Sequence, residues 1–176
     1  MKGGYPMKHI STPDKGFTIR NATRKDSKLI LDFITSLAIY EHMEDQVVAT
    51  IESIEKTLFD LKQAEVIIGE AEGLPVAFAL FYPNYSTFLG QANLFLEDLY
   101  VLESHRGKGY GKYMLAALAK IAHDRGCKRL DWWCLDWNRP SIDFYKNMGA
   151  DHLKAWTIFR LQHDNIPKLA SILDKK

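Results

Sequence analysis

His105-Arg-Gly-Lys-Gly-Tyr-Gly-Lys112 stands between a strand-like stretch, Leu94-Phe-Leu-Glu-Asp-Leu-Tyr-Val101, and a helical one, Tyr113-Met-Leu-Ala-Ala-Leu-Ala-Lys-Ile-Ala122. A glycine-rich turn in that position lets the backbone approach a ligand closely, because glycine has no side chain and tolerates positive φ. It also presents unpaired N–H groups at a helix N-terminus, where the macrodipole favours an anion. Arg106, Lys108 and Lys112 add positive charge, so the stretch reads as a phosphate-cradling loop. A P-loop is excluded by spacing: Gly107 to Gly111-Lys112 is one residue short of G-x-x-x-x-G-K-[ST], and Tyr113 replaces the hydroxyl residue. A dinucleotide fingerprint is excluded too, since Gly107, Gly109 and Gly111 give G-x-G-x-G without an early βαβ unit.

Working outward, Phe17-Thr-Ile-Arg20 alternates as a first strand. Leu29, Ile30, Phe33, Ile34, Leu37 and Ala38 make one apolar stripe on a helix over Asp26–Met43. Thr50 caps a second helix to Leu61. Ala64–Glu70 and Val76–Tyr82 are strands joined by the hairpin signal Glu72-Gly-Leu-Pro75, and Leu94–Val101 is the strand feeding the loop. After the central helix, stopped by Gly126, come a strand at Arg129–Leu135 and a short helix from Asn138 to Met148. A strand at Trp156–Leu161 and a helix at Ile166–Leu173 follow, giving the order β-α-α-β-β-β-α-β-α-β-α. Met1–Gly16, with three glycines and two prolines, reads as a flexible leader in which Met7 is an alternative start. Residues 17–176 read as a single domain.

Composition narrows the class. At 176 residues the chain buries roughly 70% of its unfolded surface on folding. Apolar residues at 47%, charged residues at 26% and a net charge of +1 describe a soluble protein without a global pull toward nucleic acid or membrane. Two cysteines make no disulfide framework, and the expected compartment is the cytoplasm. The histidines and cysteines lack ligand spacing, so no metal is expected. Cys134 reads as core packing and not as an acyl-carrying nucleophile, since no histidine is spaced to activate it.

Two motifs then carry a resemblance. Arg106, Gly109 and Gly111 give R-x-x-G-x-G, which resembles the acetyl-coenzyme A pyrophosphate loop of the GCN5-related N-acetyltransferases (GNAT). Trp137-Asn-Arg-Pro-Ser-Ile-Asp-Phe-Tyr-Lys-Asn-Met-Gly-Ala150 resembles the closing segment of that family. Tyr40-Glu41 to Val47, Leu96-Glu-Asp98 and Trp137 through Lys146 extend the similarity to its diamine, spermidine/spermine and thialysine acetyltransferase branch. The resemblance implies an α/β fold with a mixed, mostly antiparallel sheet, whose central parallel strands splay to admit acetyl-coenzyme A, and a homodimer built through Trp156–Leu173. It implies cofactor contacts at Leu99, Tyr100, Val101, Arg106, Gly107, Lys108, Gly109, Tyr110, Gly111, Lys112, Asn138, Pro140, Ser141 and Tyr145.

Acetyl transfer to an amine needs a held cofactor, a neutral amine, support for the charge on the carbonyl oxygen and a proton for the leaving thiolate. Tyr145 suits the last, with a pKa of about 10 comparable to that of a thiolate. Glu97 and Asp98 are adjacent on a strand, and strict alternation sends them to opposite faces. The resemblance picks Glu97 as the base. It also places Tyr40 and Glu41 at the amine, with Asp98, Trp132 and Trp133 lining the slot. The expected reaction is acetylation of a short diamine, polyamine or lysine-like amino acid by direct attack in a ternary complex, and Ser86 and Lys154, which replace two polyamine-branch acids by alignment, favour the shorter amines over spermine. The rival readings are a protein or peptide N-acetyltransferase and a catalytically silent acyl-coenzyme A sensor.

Overall fold

The apolar and alternating stretches of the sequence assemble into one six-stranded sheet in the computed structural model, which describes residues 9–174. Its strands are β1 (Ile10–Ser11), β2 (Phe17–Asn21), β3 (Glu65–Ala71), β4 (Leu74–Ser86), β5 (Gln91–Val101) and β6 (Leu130–Trp132). The α-helices are α1 (Ser27–Glu41), α2 (Ile51–Ile54), α3 (Tyr110–Asp124), α4 (Arg139–Asn147) and α5 (Asn165–Ala170), and α2 continues as a π-helical turn over Glu55–Asp60. Spatial order follows chain order, and every neighbouring pair is antiparallel except β5 and β6. The described residues form two compact units: one ends at Leu135 and holds the sheet with α1–α3, and the other begins at Asp136 and holds α4 and α5.

Each face of the sheet buries its own helices. On one side Val66 and Ile68 of β3 and Phe78 of β4 pack with Ile30 and Phe33 of α1 and Ile54 of α2. The Phe33 and Phe78 rings stack at 5.1 Å. The strand period of two sends Ile67 and Gly69 to the opposite face, where α3 lies. A Cβ added to Gly69 would meet Phe17 Cζ at 2.5 Å and Met114 Sδ at 2.9 Å, so the missing side chain is what lets these two groups close over β3. Phe17 in turn stacks on Tyr110 at 4.2 Å, with 7° between the ring planes. Tyr110 is the first residue of α3, so this contact fixes the N-terminus of the helix against the sheet.

Ion pairs clamp the helix ends. Arg20 of β2 donates to both carboxylate oxygens of Asp26 at 2.9 Å and, through Nε, to Glu70 of β3 at 2.7 Å, which seats the start of α1. Arg125, just past α3, makes a bidentate pair with Glu65 of β3 at 2.6 and 2.7 Å.

Two expectations fail. Trp156–Leu161 is irregular and not a strand. Its alternation expresses β propensity, but a strand needs a neighbour for its backbone groups, and none pairs with it among the described residues. Trp156 and Phe159 remain 75% and 90% exposed. The flexible leader also ends earlier than expected, because Ile10 and Ser11 pair with Ile19 and Thr18. Thr12 closes that turn by donating to the Phe17 carbonyl at 2.7 Å. The rest of the leader before His9, including Met7, lies outside the described residues.

Gly69→Ala should destabilise the fold by about 1–3 kcal/mol, the usual cost of overpacking a filled core. Urea unfolding reads this as a lowered midpoint; an unchanged midpoint would show that Phe17 and Met114 give way freely.

Candidate active site

The end of a short ladder defines the site. β5 and β6 pair only from Leu94↔Leu130 to Leu96↔Trp132, and beyond Leu96 strand β5 keeps β4 alone as a neighbour through Val101. The parallel pairing therefore stops at Leu96, where β6 ends at Trp132. The β5 edge that β6 leaves uncovered contains Leu99, Tyr100 and Val101. A 3-10 turn at Glu103–His105 then leads into the glycine loop. Gly109 caps α3 at φ 85°, a left-handed conformation in which its amide and those of Tyr110, Gly111 and Lys112 precede or open the helix. Gly107, Lys108 and Lys112 are exposed beside it. This loop can take an anionic group of a cofactor on backbone N–H groups, a helix N-terminus and two lysines.

A β-bulge lies at the same place. Leu80 pairs with Asp98 while the next residue, Phe81, pairs with Leu96, so Glu97 is the extra residue of β5. A bulge breaks strict alternation, and the charge of Glu97 acts on Asp98. Asp98 stands opposite Leu80 and Tyr100 opposite Phe78, on the face covered by α1. Burial first, and then the charges of Glu97 and Glu41, push the Asp98 carboxyl up to about 7. Burial also raises Glu41, which ends α1. Glu97 is exposed and accepts a hydrogen bond from the Tyr82 hydroxyl at 3.1 Å. Burial, with the charge and hydrogen bond of Glu97, raises Tyr82 to about 12.

Sequence reasoning missed Tyr82. It is the cross-strand partner of Phe95, its ring 5.3 Å away, and Phe95 meets Trp133 edge-on at 5.2 Å. Tyr82, Phe95 and Trp133 thus form an aromatic row leading to Glu97. Trp132 is half-buried in β6 opposite Leu96. The only available signal was an aromatic at alternating position in β4; which acid it meets depends on the bulge.

A cationic stack joins the loop to the end of α1. The Arg106 guanidinium carbon lies 4.5 Å from the centroid of the Tyr40 ring and 5.3 Å from that of Tyr100. Its Nε donates to the Val101 carbonyl at 3.0 Å.

In the second unit, Asn138 caps α4: its side-chain oxygen accepts from the Ser141 backbone N–H at 3.2 Å, and Pro140 occupies the first turn, where its missing N–H costs nothing. Tyr145 is half-buried on the same helix, its ring 5.2 Å from that of Phe144. Lys154 is exposed there. Ser86 does not belong to the slot: its Oγ accepts from Leu89 N–H in the β4–β5 turn, five residues or roughly 17 Å along the strand from Phe81. Cys127 and Cys134 form no disulfide among the described residues. Among the described residues no group of three acidic, histidine or cysteine side chains is arranged to hold a metal ion, and no helix is long and apolar enough to cross a membrane.

Comparison with known proteins agrees with this geometry. A thialysine N-epsilon-acetyltransferase from Bos taurus is 36% identical over 164 residues, covering 86% of this chain and 96% of that protein. An L-ornithine N5-acetyltransferase from Arabidopsis thaliana is 44% identical over 87 residues, covering 49% of this chain and 38% of that protein. Among solved structures, an integron cassette protein from the mobile metagenome of V. cholerae superposes with a TM-score of 0.75 at 24% identity, over 88% of this chain and 98% of that one. The pattern of the Acetyltransferase (GNAT) family matches residues 34–150. This chain, an N-acetyltransferase, belongs to the GNAT family.

Proposed function

We propose that the chain moves an acetyl group from acetyl-coenzyme A to the primary amine of a short diamine or a lysine-like amino acid. The carboxyl cluster of Glu41, Glu97 and Asp98, where β5 leaves β6, carries this reading. Acetyl-coenzyme A supplies the activated thioester. Gly109, the first amides of α3, Arg106, Lys108 and Lys112 hold its phosphates, and the uncovered edge of β5 at Leu99–Val101 receives its arm.

An amine is mostly protonated near neutral pH and must lose a proton before it attacks. A base is most effective when its pKa lies near the working pH. Asp98, raised to about 7, meets that condition. Glu97, the base that the resemblance picks, is its neighbour at the bulge. Glu41 remains for a distal ammonium, and Tyr82 holds Glu97 in place. Tyr145, from its motif, donates to the leaving thiolate. Three acids suit one reacting amine and one further cation. A spermine-length polycation would need more carboxylates along its chain. The thialysine and ornithine acetyltransferases among the relatives support the same choice.

The test is an amine panel with acetyl-coenzyme A, scored by thiol release. Thialysine or a short diamine should show higher kcat/KM than spermine, with activity rising on the acid side through about pH 7. Asp98→Asn should lower kcat by about 10²–10⁴-fold. A tenfold preference for spermine, or a folded Asp98→Asn enzyme of normal turnover, would defeat the assignment.

We also propose a homodimer through the C-terminal segment. Leu161, Ile166, Leu169, Ile172 and Leu173 line an apolar hollow there, and water-exposed apolar side chains in such number usually mark an interface. Light scattering should give twice the 20.2 kDa of one chain; a monomer at working concentration would contradict this.

A further inference from the structure

Arg106 lies in the glycine loop, yet its side chain turns back over β5. One ring of the stack comes from β5 itself, Tyr100, but the nearer one comes from the last turn of α1, Tyr40. The carbonyl of Val101 holds Nε at 3.0 Å. Nε uses one of the five N–H donors of the guanidinium, and the stacked plane fixes the direction of the others. A long cationic side chain loses rotamer freedom on meeting an anion, which weakens binding. Arg106 has lost that freedom before any anion arrives, and a residue of α1 holds it there.

We infer that Tyr40 is a positioning residue for cofactor binding: its ring holds Arg106 in the orientation that receives a phosphate of coenzyme A, and so couples the cofactor loop to the amine corner at Glu41. This rests on the acyl-coenzyme A reading above and extends it. The neighbour of Tyr40 is Glu41, so a phosphate that firms the Arg106 stack also steadies the end of α1. By linkage, each ligand then favours the other to the same degree. A tyrosine that served only the amine would have no influence on coenzyme A bound alone.

Coenzyme A, without acetyl group or amine, is the probe, and its dissociation constant is read by titration calorimetry. Tyr40→Leu should weaken binding about three- to tenfold, the span of a partly desolvated cation–π contact. Tyr40→Phe keeps the ring face and should stay within about twofold of the wild type. In an Arg106→Met background, Tyr40→Leu should cause no further loss. Tyr40→Met, which lacks a ring but keeps apolar bulk, carries the same expectation should Tyr40→Leu fail to fold. Unchanged affinity in the folded ringless variants, or an equal loss with and without Arg106, would overturn the inference alone. A wild-type protein that does not bind coenzyme A would overturn the acyl-coenzyme A reading, and the inference with it.

Discussion

The site depends on one constraint: β5 changes its neighbours halfway along its length. From Leu94 to Leu96 it is paired on both edges, and from Glu97 onward on one. The bulge at Glu97 falls at that boundary. An extra residue increases local twist, and it comes directly after the last pair with β6, Leu96↔Trp132. The same residue upsets the alternation that would separate Glu97 from Asp98. A backbone edge, a desolvated carboxyl and the entrance to the glycine loop therefore arise together from one irregularity in the ladder.

The surroundings keep this arrangement stable although it is costly. Asp98 is charged only with difficulty, and a carboxyl raised in the folded state binds its proton more tightly there than in the unfolded chain. Its contribution to stability is therefore full below the ordinary aspartate value of 3.8 and is lost as pH rises through about 7. The well-packed faces offset that loss: the Phe33–Phe78 stack on one side, and the Phe17–Gly69–Met114 contact with Tyr110 on the other. The second contact also sets the N-terminus of α3, so packing near β2 bears on the loop that faces the cofactor.

Much of this was legible in the chain. The glycine loop sits between a strand and a helix as its spacing required, and the apolar stripe of α1 buries Ile30 and Phe33 against the sheet. What was not legible depends on partners distant in sequence. The bulge is a property of β4 and β5 together, so Tyr82 gave no sign of meeting Glu97. Tyr40 and Arg106 meet only once α1 and the loop are folded onto β5. Trp156–Leu161 shows the reverse: its pattern suits a strand, but pattern alone supplies no neighbour. Ser86 fits the slot by alignment, yet the hairpin places it at the far end of β4.

The raised proton affinity of Asp98 is the most direct measure of this account, because it needs burial beside Glu97 and Glu41 at the same time. Carboxyl-carbon NMR titration of the folded protein, with Asp98 assigned by comparison with Asp98→Asn, reads it without substrate. The account predicts a midpoint near 7 that falls when Glu97 or Glu41 is replaced by glutamine. A midpoint near the ordinary 3.8, indifferent to both replacements, would contradict it.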